Sequence, residues 1–143
     1  MMISILLAII SGISMSVQGV FNTRLSEKIG TLGTNIIVQG TALLLTLAIS
    51  IFVGFPNLKE IKGVNKITLI GGFLGVVITY TVMVSIKNMG PTYAIGTILV
   101  AQLLAAAAID AFGLFGTEKI SFSFNEFIGI AVMICGIIIF KWK

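Results

Sequence analysis

The chain has 143 residues, 57% hydrophobic and only 10% charged, with a mean hydropathy of +1.15, whereas an average soluble domain is about 25% charged. Such a balance excludes an ordinary soluble globule and points to an integral membrane protein. The net charge of +4 is scattered through short connections, which suits lipid headgroups and gives no basic patch for nucleic acid. With no His and one Cys, an internal disulfide and a soft-metal centre are also excluded.

Lipid leaves unpaired backbone groups without partners, so a spanning segment is a helix of about 20 apolar residues or a strand of a closed barrel. The apolar runs here are nearly continuous rather than alternating, which predicts an all-α membrane protein. Five spans are expected, at residues 2–22, 33–54, 67–86, 92–112 and 124–140, forming one transmembrane domain over 1–143.

The first span lacks the basic start and small-residue cleavage site of a secretory signal and is expected to remain as a helix. Ser11, Ser14, Gln18 and Asn22 fall in one stripe at about 100° per residue. The second span carries a similar stripe of Asn35, Gln39, Thr46 and Ser50, and ends at Phe55-Pro56-Asn57. On the third, Thr68, Gly72, Gly75 and Thr79 share a face, and Gly71-x-x-x-Gly75 permits close helix packing.

Met89-Gly90-Pro91 separates the third and fourth spans, with Pro91 suited to the first turn of a helix. Gln102, Ala106 and Asp110 group on the fourth, which ends before Gly113 and Gly116. Asp110 is the one carboxylate within the first four spans. At about 1.5 Å per residue it lies about 27 Å along, near the edge of the hydrocarbon, where a structural role at the helix end competes with ion coupling. Ser123 and Glu126 have the spacing of a capping box opening the fifth span. Lys141-Trp142-Lys143 suits an interfacial anchor.

Four spans thus carry a polar or small face able to line a cavity. Ser and Thr can satisfy themselves on their own helix, but a carboxamide both donates and accepts toward a ligand. Gln18, Asn22, Gln39 and Gln102, with Ser14 and Asn35, are therefore the candidate substrate-binding residues. Gly71, Gly72 and Gly75 are candidate packing residues, and Asp110 a weaker ion-coupling candidate. No catalytic group, metal site or cofactor is expected, and hence no enzyme.

Five alternating spans place Lys59, Lys62, Lys66 and Lys119 on one side, and Arg24, Lys28, Lys87, Lys141 and Lys143 on the other. Positive charge near the spans normally sets orientation. Four against five leaves it undecided, so the chain is expected to insert both ways up.

Gln18-Gly19-Val20-Phe21-Asn22-Thr23-Arg24-Leu25 resembles the Gln, Asn and Leu signature that ends the first helix in short YdcZ-like members of the drug/metabolite transporter superfamily. Ala101-Gln102, Asp110 and Gly113-Leu114-Phe115-Gly116 are similar to the same family's fourth helix and following loop. The resemblance implies a half-sized transporter in the bacterial plasma membrane. Full-length superfamily members have ten spans in two inverted repeats, so this chain would pair with a second copy or a close paralogue in opposite orientation. Four-span exporters of the superfamily exchange protons through a Glu in their first helix; the first span here holds no acid, so that exchange does not carry over.

The expected function is a secondary transporter moving a small solute by alternating access as an antiparallel dual-topology homodimer. A passive dual-topology channel and a non-transporting accessory membrane protein remain the alternatives.

Overall fold

The computed structural model describes residues 1–121 and 123–142; Lys143, part of the expected anchor and of the charge tally, lies outside them. Among the described residues, four helices are long and apolar enough to cross a membrane. They are α1 (Met2–Val53), α2 (Gly71–Met89) together with the 3₁₀ turn that leads into it from Lys66, α3 (Pro91–Phe112) and α4 (Phe124–Lys141).

The first helix differs most from expectation, because residues 23–32 continue it instead of forming a loop. Several polar groups there are satisfied within the helix. Thr23 Oγ1 donates to the Gly19 carbonyl at 2.8 Å, Ser26 Oγ donates to that of Thr23 at 2.7 Å, and Arg24 lies 3.7 Å from Glu27 one turn on. Arg, Glu and Lys are also good helix formers. The interruption is confined to Gly30, at φ 77° and ψ 161°, a region open essentially to glycine alone. Thr34 Oγ1 donates to the Gly30 carbonyl at 3.0 Å, so the break leaves that acceptor occupied. Unbroken, 52 residues would run about 78 Å, more than twice the hydrocarbon thickness.

Gly54, with φ 106°, ends α1. Two 3₁₀ turns follow, Leu58–Gly63 and Lys66–Ile70, each headed by an asparagine. Asn57 Oδ1 accepts from the Lys59 amide at 3.3 Å, and Asn65 Oδ1 from the Ile67 amide at 3.1 Å. The α-helical part of the third apolar stretch therefore starts at Gly71, later than expected, and runs on to Met89.

By its internal packing the chain separates into two compact units, Met1–Asn88 and Met89–Lys143. In the first, α1 and α2 meet closely at Gly19, where an added Cβ would lie 2.8 Å from Ile86 Cδ1 and 3.3 Å from Val82 Cγ1. Further along, a Cβ added at Gly75 would lie 3.5 Å from Gln39 Nε2, in ordinary contact, whereas Gly71 and Gly72 have open space on their Cβ sides.

The second unit follows the sequence expectation closely. Pro91 occupies the first turn of α3, and Gly113 closes that helix in the left-handed conformation, at φ 63° and ψ 39°. The chain then folds back, and the Ile120 amide donates to the Asp110 carbonyl at 2.9 Å. The capping box opens α4, with the Ser123 amide donating to Glu126 Oε2 at 2.6 Å. Gly96 admits Ile137, whose Cγ1 would sit 3.2 Å from an added Cβ. Near the far end of α4 the Lys141 ammonium lies 5.0 Å from the centre of the Tyr93 ring, a cation–π contact.

Burial is distributed in the opposite sense to a soluble domain. Ile5, Leu7, Leu43, Leu44, Phe73, Phe127 and Ile139 are exposed, whereas Asn22, Thr23, Ser26, Thr34 and Asn35 are buried. Water would not tolerate so much contiguous apolar surface. Lipid reverses the preference, because unpaired polar groups are what it excludes.

Candidate functional site

The polar side chains of the first unit divide by chemistry. Thr41, Thr46, Ser50 and Thr81 each donate to a carbonyl three or four residues back on their own helix, which removes them as free ligand donors. The carboxamides reach across instead. Asn35 Nδ2 donates to the Val76 carbonyl at 2.9 Å, and Gln39 Nε2 to Thr79 Oγ1 at 3.4 Å. These two bonds join α1 to α2 one helical turn apart. The absence of a side chain at Gly75 leaves space beside the Gln39 amide.

Asn35 is 4% exposed, and its Oδ1 is buried without a hydrogen-bond partner. Asn22 is also buried, whereas Gln18 and Ser14 are exposed. These last three residues line one shallow groove of about 390 Å³, together with Ile13, Val17 and Phe21. The structure thus brings Ser14, Gln18 and Asn22 together, and Asn35 with Gln39, as two groups along α1.

The second unit holds a different kind of site. A cavity of about 440 Å³ lies between α3 and α4 at the ends joined by the 113–123 loop. Leu103, Ile130 and Met133 give it apolar walls, and Asp110, Ser121 and Glu126 line it as well. Asp110 is half-buried. Gln102 is exposed on α3 and is not part of the lining.

Glu126 as a cavity wall was not foreseen, because its spacing from Ser123 already accounted for it as a cap. The available signal was that Asp110 and Glu126 flank the same loop, so folding that loop back brings their helix ends together. Among the described residues no group of three or more His, Cys, Asp or Glu is placed to hold a metal.

The model of the family DMT_YdcZ, described as "Putative inner membrane exporter, YdcZ", matches residues 3–139. The chain belongs to this family. No curated protein and no solved structure matches it. Membership and the apolar helices together make it a multi-pass cell membrane protein with a transporter-like role. Export is a transport function rather than a catalytic one.

Proposed function

We propose that the protein is a secondary transporter that moves a small solute by alternating access, as an antiparallel homodimer of five-span chains. The observation that carries this reading is the burial of two of the candidate carboxamides in a chain that exposes most of its large apolar side chains. Asn22 and Asn35 are buried, and Asn35 and Gln39 bridge α1 and α2. In this reading Gly30 divides α1 into two crossings, residues 2–29 and 31–53, each long enough for the hydrocarbon. Gln18 and Gln102 are exposed amides within apolar helices, and exposing them to lipid is unfavourable. A second copy lying against them would remove that penalty and supply the missing inverted half. Membrane lipid is then the remaining neighbour, and the solute contacts the carboxamides.

The test begins with a solute identified by thermal stabilisation of purified protein, since a ligand of the folded state raises its melting temperature. Added lysines then fix one variant in each orientation. Flux from either variant alone should be lost and should return on co-expression; full flux from one fixed variant defeats the antiparallel pair. Saturable, exchange-capable flux distinguishes the transporter from an open pore.

A further inference from the structure

We propose that the cavity between α3 and α4 is a binding site for a small amphipathic organic cation, with Asp110 as its counter-charge. The cavity is lined by residues of the second unit, and the proposal does not depend on which solute the protein moves.

Three features favour a cation. Asp110 carries a carboxylate that makes no hydrogen bond or ion pair with any described residue. It stands in the last turn of α3, where the helix dipole is negative and disfavours an anion. The second carboxylate, Glu126, lines the same space, and one of its oxygens is held by the Ser123 amide. Among the described residues no Lys or Arg lines the cavity; Lys119, in the adjoining loop, is not among its walls.

The rest of the lining selects an organic ion over a metal. Leu103, Ile130 and Met133 cannot replace the water shell of a hard cation, whereas alkyl or aryl groups gain from burial against them. The volume of about 440 Å³ falls in the range of small-molecule sites. An ammonium with an apolar body satisfies both halves: the charge lies at the Asp110 end and the body against the apolar walls.

The test uses the purified full-length protein in dodecylmaltoside, with benzyltrimethylammonium as probe and neopentylbenzene as its neutral counterpart of equal shape, titrated by ligand-observed NMR. The cation should bind at least about tenfold more tightly than the neutral compound, the loss of one modest ion-pair contribution. Asp110→Asn should weaken the cation by a similar factor and leave the neutral compound unchanged. Glu126→Gln, which keeps a capping side chain, should weaken it less. An added Cβ at Gly129 meets no atom within 4 Å, so Gly129→Leu should fill the space and abolish binding while the melting temperature holds. Equal binding of the two probes, or full cation binding by Asp110→Asn, overturns the proposal. Displacement of the probe by phosphatidylethanolamine assigns the site to a lipid amine and overturns the solute reading. Because the readout is binding and not flux, failure here leaves the transport reading to be judged separately.

Discussion

Asn35 donates to the Val76 carbonyl across the α1–α2 contact while its own side-chain oxygen, buried beside that bond, accepts nothing. One side chain thus both ties two helices together and carries an unmet acceptor. A buried unsatisfied acceptor costs about 1–3 kcal/mol, while a typical net hydrogen bond contributes about 0.5–1.5 kcal/mol. Replacing Asn35 with Leu removes both terms, so unfolding stability in detergent should fall by no more than about 0.5 kcal/mol or should rise. A loss well beyond that would mean the Oδ1 acceptor is satisfied in the membrane. Under the proposed function the same variant should still lose flux.

Gly30 provides a contrast among glycines. Its φ of 77° and ψ of 161° are closed to L side chains, so Gly30→Ala should cost about 1–3 kcal/mol. Gly12 and Gly40 have helical backbone and open space where a Cβ would go. Alanine at either should stabilise by about 0.5–1 kcal/mol. Thermal unfolding of the three variants checks the ordering, and a neutral Gly30→Ala would mean α1 can straighten.

The close approach at Gly19 predicts compensation. Gly19→Ala meets the mobile end of Ile86 at 2.8 Å and Val82 Cγ1 less tightly at 3.3 Å, and a rotamer change of Ile86 should absorb most of the strain. Gly19→Val adds bulk that a rotamer change does not relieve, and should cost about 1–3 kcal/mol. Combining it with Ile86→Ala should recover part of that loss. A double-mutant cycle reads the coupling directly, and strict additivity would place the contact elsewhere.

The Ser123–Glu126 cap gives a prediction confined to the second unit. Glu126→Ala leaves the Ser123 amide without its 2.6 Å acceptor and should cost about 0.5–2 kcal/mol. Glu126→Gln should lose less, because a glutamine can reach back to the same amide. Melting temperatures in detergent distinguish the two.

Sequence was most informative where a residue's chemistry forces local geometry. Pro91, Gly113 and the Ser123–Glu126 pair set the limits of α3 and α4 almost to the residue, because each can occupy few helix positions. Residues 23–32 misled for the converse reason: charge and glycine suggest a loop, but the charged residues there favour helix and only Gly30 departs from it. Packing was harder to foresee. Gly71 and Gly75 offered a recognisable spacing, yet the tightest approaches occur at the isolated Gly19 and Gly96, whose partners lie 67 and 41 positions away in the chain. The carboxamide positions were legible as a pattern, but whether a given amide bridges helices or faces outward depends on helix rotation, which periodicity alone leaves open. The pairing of Asp110 and Glu126 around one cavity needed the folded loop.

The break at Gly30 gives α1 a lever arm. Residues 31–53 form a rod of about 35 Å, so a rotation of about 20° at that one glycine carries its far end through about 12 Å. Such a displacement approaches half the hydrocarbon thickness, and it is reached by turning two backbone torsions with no connecting loop to take up the motion.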